Sequence, residues 1–450
     1  MYRKLLAVTT ALTLLLPGIG HAEDNISARL KALENEIAVL KRQQEVKEEI
    51  DQSKAQKQAS VELGKKGFLV TSPDKQYQLK IRGYAQIDGH AFLNDSGNTG
   101  KDELIARRLR PIIEAKAGDF ELRLMPDFAG GQLKLFDAYV DYKPTTIANV
   151  RVGKFKPPVS LERLQSATNL TFVERGLPTN LAPNRDFGVQ LFGEVIPDTL
   201  EYQIGVFNGE QDLGTNDTDN DDKKDIAARV FAHPFSQSNA VALRGLGVGV
   251  GGSIGDREGG SANTILGDYR SPGQQSIFKY LTGTAAGSTV VAQGTQWRAA
   301  PQAYYYYGPF GAIAEYTVSS QEVVKGAAQE RLEHRAWQLA ASYVLTGEDG
   351  SFNGVKPTED FDFSNGGWGA WEIVARVGQL DLDDDAFPLF ASAASSITKE
   401  SSAGIGLNWY LSSNVKALLD YDITRFDGGA AAGRDRPQEQ AVFSRIQYQF

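Results

Sequence analysis

From Tyr77 to its last residue, Phe450, the chain alternates apolar and polar residues with a period of two. In Gln78–Ala91, the residues Leu79, Ile81, Ala85, Ile87 and Ala91 alternate with Lys80, Arg82, Tyr84, Gln86, Asp88 and His90. Successive side chains on a strand point to opposite faces, so this segment wants an apolar medium on one side and water on the other. One such strand would also suit a soluble sandwich, so repetition has to carry the argument. The pattern recurs in Leu109–Lys116, Phe120–Phe128, Ile226–Val230, Trp371–Val377, Ala403–Leu411 and Val415–Ile423. About 16 such segments can be counted, an even number as bacterial outer-membrane barrels require. Short turns (Gly118-Asp119, Pro197-Asp198, Gly308-Pro309, Ser412-Ser413-Asn414) alternate with long connections such as 156–185, 209–224, 256–294, 381–400 and 426–438. Short periplasmic turns opposite longer external loops are the expected barrel arrangement. One connection departs from it: Gly347 to Trp368 is long and falls on the periplasmic side.

The end of the chain fits the same reading. Val442, Ile446, Tyr448 and Phe450 alternate with Arg445, Gln447 and Gln449. This is a last strand with a lipid-facing row that finishes on an aromatic, the form of terminal strand recognised by barrel-assembly machinery. Tyr304–Tyr307, Trp368, Trp371 and Trp409-Tyr410 lie near expected strand ends, where interfacial girdles place aromatic side chains.

The beginning differs. Arg3 and Lys4 precede an apolar run from Leu5 to Leu16, Pro17-Gly18 break it, and Gly20-His21-Ala22 supply small residues for cleavage. A spanning helix needs roughly 20 apolar residues, so the run reads instead as a secretory leader over 1–22. Residues 23–62 hold no Gly or Pro, and Ile26, Leu30, Leu33, Ile37 and Leu40 are spaced four, three, four and three apart. That is a heptad seam with Leu30 and Ile37 at a and Ile26, Leu33 and Leu40 at d. Two heptads are marginal alone. The segment is therefore expected to form a short periplasmic coiled coil, sustained by an association made elsewhere. Residues 63–76 read as a linker and 77–450 as the transmembrane barrel.

Composition excludes other classes. No cysteine is present, so neither a disulfide framework nor a thiolate site is possible. The four histidines have no metal-binding spacing, and no GxSxG nucleophile turn occurs, so neither a metal or other cofactor nor an enzyme activity is expected. A net charge of −9 argues against nucleic-acid binding. The acidic stretch 212–225 lacks the Gly and Glu of a calcium loop and reads as a solvated external loop.

Strand parity points a basic row inward: Lys80, Arg82, Arg108, Arg110, Lys116, Arg123, Arg151, Arg229, Arg376 and Arg445. Guanidinium groups in a narrow tube attract anions and match phosphate geometry through their fork of donors. Glu114, Glu121, Asp127, Asp137, Asp141, Asp88 and Glu372 point inward as well, and pairing with them would leave the pore nearly unselective.

Several stretches carry a family resemblance. They are Arg107–Arg110, Val152–Pro158, Phe172–Arg175, Arg185–Gln190, Ala227–Phe231 with Pro234-Phe235, and Gly369–Arg376. In this order they resemble the phosphate-selective porin O and P family, over essentially the whole barrel. The resemblance implies a homotrimer of 16-stranded barrels in the outer membrane. It also implies passive uptake of small anions, phosphate or polyphosphate, through an Arg/Lys-lined lumen. Porins commonly fold the connection after the fifth strand inward, which would bring Lys156, Arg163, Arg175 and Arg185 to a constriction. The alternatives are a general porin of low selectivity, and a non-conducting barrel that anchors the envelope.

Overall fold

The computed structural model describes residues 22–55, 58–65, 67–93, 100–219 and 221–450. It separates into two units, residues 1–60 and 61–450. In the first, Ala22–Ala55 is one α-helix. The side chains of Leu30, Leu33, Ile37 and Leu40, which the heptad reading expects to form a seam, are exposed on it. The segment expected to be a leader, 1–22, lies outside the described residues except for Ala22, and so does the side chain of Ile26.

The second unit is a closed antiparallel β-barrel of sixteen strands. In chain order these are β1 (Tyr77–Phe92), β2 (Glu103–Ala117), β3 (Phe120–Asp127), β4 (Lys134–Tyr142), β5 (Asn149–Phe155), β6 (Asp186–Ile196), β7 (Leu200–Phe207) and β8 (Asp225–Ala232). They continue as β9 (Leu246–Glu258), β10 (Val291–Tyr307), β11 (Phe310–Lys325), β12 (Ala328–Val344), β13 (Ala370–Asp381), β14 (Ile397–Tyr410), β15 (Val415–Gly428) and β16 (Glu439–Gln449). Each strand pairs with the next. The cylinder closes where β16 pairs with β1, with Ile446 opposite Ile87 and Val442 opposite Ala91. Phe450 extends that ladder through two backbone bonds to Gly83, of 3.0 and 3.1 Å.

β16 reaches only the second half of β1, which would leave Gln78–Ile81 as an open edge. Residues 63–76, read from sequence as a linker, instead contain a strand, Gly67–Thr71, that pairs with Gln78–Ile81 and covers it. An unpaired edge is costly wherever water is absent.

The two faces separate as the alternation requires. Leu79, Ile81, Ile87, Val152, Leu191, Ile226, Ile373, Ile405 and Leu419 are exposed on the outside, where lipid would cover them. Gln86, Asp88, Arg108, Arg229, Glu372, Arg376 and Arg445 are buried inside. Outward aromatics collect at the end of the short turns, which is the periplasmic end. Trp371 stacks on Trp409 with centroids 4.8 Å apart, and Phe120 stacks on Tyr142 at 4.8 Å. Of the Tyr304–Tyr307 run only alternate members join this belt. Tyr304 turns inward, as described below. Connection 345–369 leaves from the same end, which gives this barrel one long periplasmic segment.

The lumen is not an open tube. Residues 156–185 fold into it and are largely buried. On the outer half, Leu177 and Leu181 of this loop pack with Tyr269, Ile277, Phe278, Phe390 and the inner faces of β11–β14 in an apolar cluster. That side of the mouth is solid, so the remaining space lies toward β1–β9. The stretch 212–225, expected to be solvated, contributes buried ion pairs instead. Asp212 meets Arg298 at 2.6 Å and Asp225 meets Arg257 at 2.6 Å. The burial is confined to its ends, and Asp217, Asp219, Asp222 and Lys224 are exposed.

The facing of Ile405 is testable by substitution, since it sits mid-strand on the outer face between Ala375 and Tyr421. Ile405→Arg should lower folding stability in phospholipid vesicles by about 2–4 kcal/mol, as a charge does at the bilayer midplane. An unchanged denaturant midpoint would show that this face does not meet lipid.

Candidate functional site

The inward rows of the wall do two jobs. On β10–β16 they hold the inward loop by satisfying its backbone, which would otherwise be buried without partners. Gln302 donates to Val159 O (2.8 Å), Lys416 to Leu170 O (2.6 Å), Asn408 to Thr171 O (3.0 Å) and Arg376 to Glu174 O (2.8 Å). The Glu315 carboxylate accepts from Leu161 N and Glu162 N at 2.9 and 3.2 Å. Gly251 on β9 lets the loop lie against the wall, because a Cβ there would come within 2.2 Å of Val159 O. On β1–β8 much of the inward row faces open space, although Gln86 also holds the loop by donating to Ala167 O at 2.9 Å.

That space is a cavity of about 960 Å³. Among the described residues, thirteen lysines and arginines line it, against two carboxylates, Asp137 and Glu201. A second cavity, of about 380 Å³, lies toward the outer loops. Five lining residues are common to both, Arg107, Arg108, Arg163, Arg175 and Asn184. The two cavities adjoin at these five residues, four of which are arginines, and this junction is where a constriction is expected.

Compensation decides how much of this charge acts on a solute. Most wall arginines are paired. Arg82 is bidentate to Glu114 (2.8 and 2.9 Å), and Arg151 is bidentate to Asp141 (2.7 and 2.8 Å). Arg123 bridges Glu114 and Asp137, Arg110 meets Asp127 at 2.8 Å, and Arg229 meets Glu201 at 2.7 Å. Arg107 is bidentate to Glu174, and Arg185 reaches Asp137 at 3.2 Å. Four cations at or beside the constriction differ. Among the described residues, Arg108, Lys156, Arg163 and Arg175 have no carboxylate within ion-pair distance. Arg108 donates to Gln86 at 2.7 Å, and Arg163 to Thr179 O. Arg175 donates to Glu162 O and Gln165 O, and Lys156 to Leu164 O and Gln165 O. Their geometry is set, and their charge is not neutralised.

The loop cations record that stress. Burial first, and then the positive Arg185, Arg175 and Arg163, push Lys156 well below its ordinary value. Burial and the neighbouring Arg175 and Arg185 also lower Arg163. A guanidinium nevertheless stays charged at neutral pH. An anion entering here would relieve both the repulsion and the desolvation.

The structure brings together eleven of the residues selected from sequence. Lys80, Arg82, Arg108, Arg110, Arg123, Arg151 and Arg229 of the wall, and Lys156, Arg163, Arg175 and Arg185 of the loop, all line the main cavity. Lys116 stands at the periplasmic mouth beside Glu114 and Glu121. Arg376 and Arg445 point inward but lie outside these cavities. Arg376 sits 4.2 Å over the Phe172 ring, and Arg445 is bidentate to Asp88 at 2.6 and 2.7 Å.

Arg107 and Lys65 were missed. Parity assigns Arg107 to the lipid side, but a bulge opposite Gln86/Ile87 leaves it as the extra residue of β2. A bulge re-aims a side chain, and here Arg107 and Arg108 both face the lumen. A second bulge, opposite Met125/Pro126, does the same for Phe136, whose ring lies 3.8 Å beneath Arg110 and 4.7 Å from Arg185. Lys65 precedes the barrel and carried no strand signal. Among the described residues, no group of His, Asp or Glu could hold a metal ion.

Comparison with known proteins gives a family and a shared fold. The family model that matches residues 79–450 is that of phosphate-selective porin O and P. Porin O of Pseudomonas aeruginosa is 24% identical over 418 residues, 86% of this chain and 91% of that protein. Among solved structures, the outer membrane channel DcaP of Acinetobacter baumannii matches with a TM-score of 0.53 and 15% identity over 83% of this chain and 97% of its own. An anion-selective porin from Comamonas acidovorans matches with a TM-score of 0.52 and 12% identity, over 83% and 100%. A trimer form of OmpT from Vibrio cholerae matches with a TM-score of 0.51 and 12% identity, over 83% and 99%.

An anion held beside Lys156 would bind in a pH-dependent way. The proton affinity of Lys156 is depressed in the empty pore and rises when an anion sits beside it. Binding is thus full below the empty-pore value and weakens as pH climbs through the bound value. Sulfate does not titrate in this range. Its half-blocking concentration for chloride current should rise several-fold as pH is raised toward the ordinary lysine value. The curve should be flat in Lys156→Arg. An equally steep curve in that variant would contradict the assignment.

Proposed function

The chain belongs to the phosphate-selective porin O and P family and is an outer-membrane, anion-selective channel, and on that premise we propose that it binds phosphate at the constriction as it passes. One observation carries this reading: three arginines without carboxylate partners, Arg108, Arg163 and Arg175, line both the outer and the inner cavity, with Lys156 beside them in the inner one. Phosphate gives up water there in exchange for fork-like guanidinium donors already fixed by backbone carbonyls. Arg82, Arg110, Arg123 and Arg151 then continue a basic path toward Lys80 and Lys116. Their carboxylate partners temper it. Binding must be strong enough for entry and weak enough for exit, and a graded series of partly compensated sites suits that need.

The same reading covers the assembly. We take the working form to be a homotrimer joined by barrel walls, with Ile26–Leu40 adding a coiled coil in the periplasm. The outward row ending at Tyr448 and Phe450 supports recognition by the barrel-assembly machinery, and the exposed apolar belt supports lipid as the surrounding partner. Residues 1–22 would be a leader removed on export. Transport here is passive, with no catalytic step and no cofactor.

Phosphate block of chloride current tests the site. Arg163→Gln with Arg175→Gln removes two charge-assisted donors worth about 1.5–3 kcal/mol each. The half-blocking phosphate concentration should therefore rise at least about tenfold, while the barrel still inserts. Unchanged block in the double variant would remove the constriction as the phosphate site.

A further inference from the structure

Inorganic phosphate uses only part of the main cavity. At about 960 Å³ the space is many times larger than one such ion, and beside the cations it presents aromatic faces. Phe352 comes from the long periplasmic connection 345–369, which is mostly exposed but reaches inward around residues 350–355. Its ring stacks on Tyr304 of β10, with centroids 4.9 Å apart and planes 18° apart. Both rings line the cavity and are only partly buried. Tyr304 is fixed from behind, its hydroxyl 2.6 Å from His233 Nε2 and its ring 5.2 Å from the buried Phe231.

This pair is tied to the cations through one residue. Gln165 Nε2 donates to Phe352 O at 2.8 Å. The carbonyl of Gln165 accepts from Lys156 Nζ and from Arg175 Nη2, both at 2.9 Å. The aromatic pair and the uncompensated cations are therefore held in one frame. A hydrated inorganic anion gains nothing from an aromatic face, and leaving rings partly wet is unfavourable. Cavities that orient organic ligands combine this kind of apolar wall with a few charged groups.

We propose that the main cavity is a subsite for small organic anions with a planar apolar body, such as aryl phosphates or carboxylates. The anionic group lies against Lys156, Arg163 and Arg175, and the ring lies against Tyr304 and Phe352. This rests on the anion-binding reading above and extends it from the charge of the solute to its body.

The test uses the full-length protein in planar bilayers and compares phenyl phosphate with inorganic phosphate as blockers of chloride current. In the native channel phenyl phosphate should block at a concentration about tenfold lower, the gain expected for partial burial of one ring. Phe352→Ala should erase that advantage while moving phosphate block less than about twofold, and Phe352→Leu should retain part of it. Equal block by the two anions in the native channel overturns the proposal. So does a Phe352→Ala channel in which both blocks weaken alike, since Phe352 would then only staple its loop. Should Phe352→Ala fail to insert, the native comparison and Phe352→Leu still decide. Absence of phosphate block in the native channel would instead strike the phosphate reading, so the two failures are distinguishable.

Discussion

In a bilayer no water is available to a strand's peptide groups, so every amide and carbonyl must be paired within the protein. The pairing of β16 with β1 meets that demand, and the rest of the structure follows from it. Closure puts one side of every strand against lipid and the other in a confined interior. The interior is then forced to be polar, because the apolar half of each alternation is already committed outward. It also leaves the interior crowded with side chains able to donate and accept, and these allow a long loop to be buried there at little cost. Gln302, Glu315, Asn408 and Lys416 are each bound to the backbone of that loop.

The loop turns a polar tube into a selective one. Wall arginines sit opposite wall carboxylates one strand away, as in Arg82 with Glu114 and Arg151 with Asp141, and such neighbours largely cancel. The loop brings cations without bringing equal compensation. Its Glu162 and Glu174 are spent on Gln338 with Gly176 N and on Arg107. Arg163, Arg175 and Lys156 are left to backbone carbonyls, which orient a cation without cancelling it. Charges in this narrow, weakly screened space act on a passing ion far more strongly than they would on the surface.

Much of this was legible in the chain itself. Period-two alternation settles which of Leu79 or Lys80 meets lipid, since the barrel leaves no third environment. The order of short and long connections places the periplasmic end and isolates 347–368 as exceptional. The position of Lys156–Arg185 after the fifth strand places the constriction loop. Three things were not legible. Parity fails at bulges, so Arg107 and Phe136 could not be aimed correctly. Burial of Asp212 depends on Arg298, a partner 86 positions away that no local pattern reveals. The distinction between Arg108, which lines the passage, and Arg376, which holds the loop, depends on where 156–185 lies in three dimensions.

The central claim is that uncompensated cations at the constriction set the sign of the selectivity despite a chain net charge of −9. It is tested most directly by the zero-current potential of the full-length protein in a planar bilayer under a potassium chloride gradient. The account predicts a potential of the sign set by chloride, persisting at moderate salt because the charges lie inside the pore. A potential near zero, or one of the sign set by potassium, would contradict it.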